Sequence, residues 1–349
     1  MRALRLESWK SEPKLVEVPD PTPGPGEAVI RVGGAGACHS DLHLMHDFDA
    51  GAVPWQPPFT LGHENAGWVH ALGEGVAGFE IGQAVAVYGP WGCGRCRRCL
   101  AGVETYCENP AEAPAPGGGG GLGADGGMAD YMLVPAAERH LLPLPEGLEP
   151  AYAAPLTDAG LTPFHAVARS WGKLGPRATC VVIGTGGLGH LAVQIAKQTT
   201  GARVIAVDVR DEALEVARSM GADHLVTADA AAADRIRELT GGRGADVVID
   251  CVGNDSTLAL GAQTVTVLGD LTIVGIGGGT LPVGFFSVPY EASVQTTYWG
   301  SSPELADVLD LAARGLLTPK VTTYSLDDAV QAYHDLAEGK VEGRAVIVP

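Results

Sequence analysis

The feature that most constrains this chain is a run in which strand periodicity gives way to helical periodicity across a glycine cluster. Ala178–Ile183 is apolar and β-branched, Gly184-Thr185-Gly186-Gly187-Leu188-Gly189 follows, and apolar residues then recur at Leu191, Ile195 and Ala196. A second apolar run, Ala202–Val207, ends at Asp208. Strand, G-x-G-x-x-G turn, helix and strand make a βαβ unit, whose two strands lie parallel. The glycines permit a tight turn and let backbone N–H groups approach a pyrophosphate at the helix N-terminus. Asp208 stands where a carboxylate accepts hydrogen bonds from an adenosine ribose. Gly184, Gly186, Gly187, Gly189 and Asp208 are therefore expected to bind a dinucleotide. The carboxylate would repel a 2′-phosphate, which favours NAD over NADP. Arg210, two residues on, is the one neighbour able to accommodate that phosphate.

The pattern continues with a helix over Asp211–Met220, closed by Gly221, and strands at Val247–Cys251 and Leu271–Ile276. Strands alternating with helices predict a doubly wound parallel sheet. The first third reads differently. Short strands are expected at Ala28–Val32, Asn65–Leu72 and Ala84–Tyr88, punctuated by Pro21–Gly26 and Gly73–Gly78. Residues 111–127 are rich in Ala, Pro and Gly, with five consecutive glycines at Gly117–Gly121, and no regular element is expected there. Helices follow at Pro303–Arg314 and Leu326–Glu338, and a last strand at Ala345–Val348. A chain of 349 residues accommodates two domains.

Composition excludes several classes of function. Lys plus Arg number 23 against 41 for Asp plus Glu, a net charge of −18, which disfavours nucleic acid and anionic membrane as partners. The uncharged stretch Ala178–Ala196 is broken by its glycines and changes period halfway, so it does not read as a membrane span. Met1–Lys10 carries charges and no apolar core, so it is not a secretory signal. Seven cysteines, an odd number, argue against a full disulfide framework. A soluble cytoplasmic protein is expected.

Four of those cysteines, Cys93, Cys96, Cys99 and Cys107, give C-x2-C-x2-C-x7-C within one loop. That spacing suits a closed tetrahedral zinc, which orders a loop without leaving a coordination position free; iron–sulfur ligation is the rival. A second, dispersed set is Cys38-His39-Ser40-Asp41-Leu42-His43, then Gly62-His63-Glu64, then Asp158 between Pro155 and Pro163.

At these residues the chain resembles the zinc-containing medium-chain dehydrogenase family along essentially its whole length. Gly62-His63-Glu64-x2-Gly67-x5-Gly73-x2-Val76 is similar to the family's zinc signature. Cys38-His39-Ser40-Asp41, Val87–Cys93 and Thr297-Tyr298-Trp299-Gly300 look most like the bacterial and archaeal NAD-dependent secondary-alcohol dehydrogenases. The resemblance implies an α/β chain with a GroES-like β-rich catalytic domain over residues 1–154 and 291–349, its structural zinc lobe near 91–108. It implies a Rossmann NAD-binding domain over 155–290, with the active site in the cleft. It implies two zinc ions per subunit, one structural on the four cysteines and one catalytic on Cys38, His63 and Asp158, with Glu64 able to approach the metal. Many relatives carry a second cysteine where this chain has Asp158. The neutral charge sum survives that departure, and the harder oxygen ligand predicts a more labile zinc.

The resemblance further implies reversible hydride transfer between NAD(H) and alcohols or ketones. Ser40 receives the alcohol proton, His43 ends the relay, and Asp41 orients the ligand imidazole. His39 resembles a pyrophosphate contact, Thr162 and Leu188 resemble residues that position the nicotinamide, and Trp55, Leu122, Phe286, Tyr298 and Trp299 align with substrate-pocket positions. A homotetramer is implied by likeness alone. Two other readings remain: an enzyme of the same fold acting on polyols or aldehydes, and a non-catalytic nucleotide-sensing protein.

Overall fold

The computed structural model describes all 349 residues. The chain forms two compact units, one from residues 1–161 with 299–349 and one from residues 162–298.

In the second unit, strands Thr179–Ile183, Arg203–Asp208, His224–Thr227, Ala245–Asp250, Val265–Ile273 and Ser293–Thr296 form one sheet in which every neighbouring pair is parallel. Thr179–Ile183 is buried at every position, as a central strand covered on both faces must be. Helices Gly189–Thr199, Asp211–Ser219, Ala232–Leu239 and Asp255–Thr264 return the chain between strands. Val181, Ile183, Ile205, Val207, Val248 and Leu271 supply the core. The chain runs outward from Thr179–Ile183 to one edge, then crosses to Ala245–Asp250 on the other side. That reversal opens a crevice at the carboxyl ends of the two strands. Gly221 takes φ +102°, as a residue ending a helix in the left-handed region does. The expected strand at Leu271–Ile276 starts earlier and stops at Ile273. A Cβ at Gly275 would lie 2.3 Å from the Val252 backbone, so the chain is turned out of the sheet there by close packing.

The first unit centres on a seven-stranded sheet. Its longest strand, Ala28–Ala37, pairs antiparallel with Glu64–Leu72, Tyr131–Val134 and Arg344–Val348. Ala84–Val87 and Leu141–Pro143 extend one side, and Val321–Ser325 lies parallel to Arg344–Val348 on the other. A smaller sheet joins Lys14–Glu17, Arg2–Leu6 and Phe59–Thr60. The register sets Gly36 opposite both Glu64 and Val346. Cys38, just past the end of one strand, and His63, just before its antiparallel neighbour, therefore meet at one end of the sheet. Gly36 is required: a Cβ there would lie 1.8 Å from Glu64 Oε2.

The glycine-rich stretch departs from expectation. Gly119–Gly120 and Gly123–Ala124 form a two-residue parallel ladder, and Gly119–Leu122 is buried. The glycines serve contact: a Cβ at Gly121 would sit 2.5 Å from the Gly62 carbonyl carbon. Arg2–Leu6 and Val321–Ser325 are strands whose sequences gave too weak a signal.

Candidate active site and metal centres

Helix His39–His46 begins at Cys38, whose backbone N–H donates to Asp41 Oδ2 at 3.0 Å. This cap fixes the Cys38 thiol at the sheet end. His63 is buried, and Asp41 Oδ1 lies 3.1 Å from its Nδ1, neither atom having another partner. Tyr333, from helix Ala329–Ala337, donates its hydroxyl to Asp41 Oδ2 at 2.8 Å. With Nδ1 turned to Asp41, Nε2 faces Asp158 Oδ2 at 3.5 Å and Ser40 Oγ at 3.3 Å. Asp158 follows the short 3-10 turn Ala154–Thr157. Ligand atoms of Cys38, His63, Glu64 and Asp158 all lie within 4.8 Å of one another.

Burial disfavours an imidazolium at His63, yet Asp41, Asp158 and Cys38 together raise its pKa well above the usual histidine range. A field that would hold a proton there also suits a divalent cation. Thiolate, imidazole nitrogen and carboxylate around one point make a donor set that zinc accepts. Glu64 is differently engaged. Arg344 donates to it through Nε at 2.9 Å and through Nη2, and the Ala159 N–H reaches Oε1 at 3.1 Å. Burial pushes its carboxyl up to about 7 even against the opposing pull of Arg344.

Ser40 is half-buried and His43 is half-buried one turn further along the same helix. His43 Nδ1 contacts Asp47 Oδ2 at 2.5 Å. His39, the first residue of that helix, is exposed. Trp299 packs edge-on against His63, with ring centroids 6.0 Å apart. It adopts φ +52°, a costly conformation for a bulky residue. Gly89 makes room for it, since a Cβ there would lie 2.7 Å from the indole. Trp55 is braced by Trp9 and Phe59, at centroid distances of 5.7 and 5.4 Å, and Leu122 is buried in the glycine-rich stretch beside it. Phe286 and Tyr298 belong to the other unit. Phe286 is 88% exposed against Phe285, and Tyr298 is also exposed.

The four-cysteine lobe has all its sulfurs within 4.8 Å, and all seven cysteines are free thiols. Cys96 and Cys99 sulfurs are 3.4 Å apart, and Cys93 and Cys99 sulfurs 4.0 Å. These bracket the spacing of about 3.8 Å that tetrahedral zinc–sulfur bonds require. Backbone N–H groups of Cys93, Cys99, Glu108 and Asn109 donate to the sulfurs, and such donation from Cys99 and Glu108 lowers Cys96 to about 6. The lobe rests on a buried carboxylate. Glu104 accepts from the Gly92 N–H at 2.7 Å and from Arg139 at 2.6 and 3.0 Å, with His140 Nε2 at 3.1 Å.

In the second unit, Gly184 takes φ +80°, and a Cβ at Gly189 would lie 1.8 Å from the Gly184 carbonyl oxygen. These two glycines serve the turn and the close helix approach. A Cβ at Gly186 would meet nothing nearer than Arg210 Nη2 at 3.9 Å, so no protein neighbour demands a glycine there. Open backbone at the start of helix Gly189–Thr199 is what a pyrophosphate needs. Leu188 forms the N-terminal boundary of that helix, with Gly187 immediately before it. Asp208 is buried at its strand end, accepting from Thr185 N–H at 2.7 Å and Arg210 N–H at 3.0 Å. A cavity of 570 Å³ opens beside it, lined by Gly184, Val209, Ala228, Asn254 and Leu260 among others. Thr162 is buried in helix Leu161–Ala168.

Arg344, Tyr333, Glu104, Arg139 and Asp47 did not emerge from the sequence. A single charge opening the apolar run Arg344–Val348 was a usable signal, and so was an acid four residues after His43 on a helix.

Comparison with known proteins gives a consistent result. Residues 24–146 match the model of the alcohol dehydrogenase GroES-like domain, and residues 187–314 that of zinc-binding dehydrogenase. An NAD-dependent alcohol dehydrogenase of Sulfurisphaera tokodaii is 37% identical over 100% of both chains. The alcohol dehydrogenase of Aeropyrum pernix superposes with a TM-score of 0.91, at 35% identity and full coverage of both chains. The acetophenone reductase of Geotrichum candidum, solved with NAD, superposes with a TM-score of 0.84 at 32% identity, covering 100% of this chain and 97% of that one.

Proposed function

Because the chain belongs to the zinc-containing medium-chain dehydrogenase family and is an NAD-dependent alcohol dehydrogenase, we propose that it interconverts secondary alcohols and ketones at the Cys38–His63–Asp158 centre. The convergence of those three ligand atoms, with Ser40 Oγ 3.3 Å from His63 Nε2, carries this reading. Zinc, when bound, supplies Lewis acidity toward an alcohol or carbonyl oxygen, and NAD supplies the hydride acceptor.

The chain's own residues do the rest. Asp41 holds the His63 imidazole by Nδ1 and leaves Nε2 as the ligand atom, while Cys38 N–H and Tyr333 hold Asp41 in turn. Ser40 Oγ takes the alcohol proton, and His43 Nε2 ends the relay and releases the proton to solvent. Trp299, 2% exposed, walls the centre against water. The likeness of the acetophenone reductase, named for a ketone, supports the secondary-alcohol preference. Asp208 and the open Gly186 support NAD as the partner of the second unit. Family likeness supports a homotetramer in the cytoplasm. No helix of the protein is long and apolar enough to cross a membrane.

The test is the initial rate of NADH formation on a panel of secondary and primary alcohols with zinc-loaded protein, beside Ser40→Ala. Faster oxidation of secondary alcohols, depressed at least tenfold in the variant with zinc retained, is expected. Preference for polyols or aldehydes would overturn the substrate reading, and an undiminished Ser40→Ala would remove the relay.

A further inference from the structure

Helix His39–His46 ends at Asp47, whose backbone N–H donates to the His43 carbonyl at 2.8 Å; Phe48 N–H joins it at 3.1 Å. These bonds fix Asp47 four residues after His43 on the same helical face, and its carboxylate folds back onto the imidazole, Oδ2 to Nδ1 at 2.5 Å. A carboxylate is poorly placed at a helix C-terminus, where the helix dipole already concentrates negative charge. The neighbouring carboxylates are engaged elsewhere: Asp49 with Lys10 at 2.7 Å, and Asp41 with Cys38, His63 and Tyr333. Asp47 makes its ion pair with His43.

An ionised carboxylate only accepts hydrogen bonds, so Nδ1 must carry the proton. A neutral imidazole so held has its lone pair on Nε2, and the ring is fixed in plane.

We propose that Asp47 is a positioning residue of the proton relay, holding His43 in the Nδ1–H tautomer so that Nε2 is the proton acceptor. This rests on the relay reading above. The step balances: Nε2 accepts the proton arriving from the alcohol side, the imidazolium keeps its Nδ1–H on Asp47, and Nε2 then releases the proton to water. Without the carboxylate the ring is free to turn and to place its proton on Nε2, which blocks acceptance.

The test combines Asp47→Ala, Asp47→Asn and His43→Ala in the zinc-loaded enzyme with NAD. An Asn amide can donate through its NH2 as well as accept through its oxygen, so neither Asp47→Asn nor Asp47→Ala enforces Nδ1–H, and each is expected to lose about three- to tenfold in kcat with KM for alcohol little changed. Nitrogen-15 NMR of histidine-labelled protein, with the His43 signal assigned by its loss in His43→Ala, reads the tautomer directly. Nδ1–H is expected in the native protein, and a shift toward Nε2–H in both Asp47→Asn and Asp47→Ala. Slow His43→Ala with an unchanged Asp47→Ala rate or an unchanged tautomer would overturn the role of Asp47 alone. A His43→Ala enzyme with native kcat would instead overturn the relay on which it rests. Native kcat in Asp47→Asn with its His43 in the Nε2–H form would also overturn the tautomer role.

Discussion

Arg344 and Glu64, 280 residues apart in sequence, form a fully buried two-point ion pair at the edge of the Cys38–His63–Asp158 centre. The guanidinium reaches both carboxylate oxygens, and the antiparallel pairing of Arg344–Val348 with Ala28–Ala37 brings it there. Arg344→Met would leave Glu64 buried without its counter-charge. A loss of about 3–5 kcal/mol is expected, read as a fall in Tm by calorimetry. Adding Glu64→Gln should recover part of it. Additive losses in the double variant would show that the pair is not coupled.

As a proposed zinc ligand, Asp158 offers an oxygen where a sulfur would carry the same charge. Asp158→Cys should keep the metal and slow its transfer to a chromogenic chelator by at least tenfold, because a thiolate is the softer and stronger zinc ligand. Asp158→Ala should lose one zinc per chain. Equal release rates for native and Asp158→Cys proteins would place Asp158 outside the coordination sphere.

The four-cysteine lobe leans on Glu104. Burial alone would raise this carboxyl, but hydrogen bonds from His140 and Arg139 outweigh it and depress the pKa from 4.5 to about 2. A carboxyl with a lower pKa in the folded state stabilises the fold above its unfolded value. That stability disappears as pH falls from about 4.5 toward 2. The depression corresponds to about 3 kcal/mol. The stability difference between native protein and Glu104→Gln should be largest near neutral pH and shrink across that window. A difference independent of pH would overturn the assignment.

Asp208 sits at the carboxyl end of its strand with oxygens already accepting from Thr185 and Arg210 N–H groups, and a carboxylate retains lone pairs for ribose hydroxyls. Asp208→Ser should reduce kcat/KM with NAD by about 10- to 100-fold, about 1.4–2.8 kcal/mol, and improve it with NADP, because the charge that repels a 2′-phosphate is removed and Arg210, 3.8 Å from Asp208, is released to meet it. Comparison of the two cofactors in steady state checks this. Better use of NADP by the native protein would contradict the role of Asp208.

Whatever depends on neighbours in the chain was legible in the sequence. The switch from strand to helical period around Gly184–Gly189 located the βαβ unit, because period and turn chemistry act over a few residues. The spacing of Cys93, Cys96, Cys99 and Cys107 located one metal loop, since a tetrahedral ion can be closed by a single short loop. The Ala28–Ala37 strand was underread at its far end, where glycines at 33, 34 and 36 weaken the strand signal while serving close contacts.

Tertiary structure alone decided which residues complete the other centre and what holds them. Tyr333 meets Asp41, Arg344 meets Glu64, and Arg139 and His140 meet Glu104 only because strands and helices remote in sequence are packed together. Glu64 shows the limit most clearly. Its position beside His63 marked it as a metal neighbour. Its occupation by a guanidinium depends on a strand register that pairs Gly36 with both Glu64 and Val346. A buried charge needs a partner in space, and no periodicity along the chain records where that partner will come from.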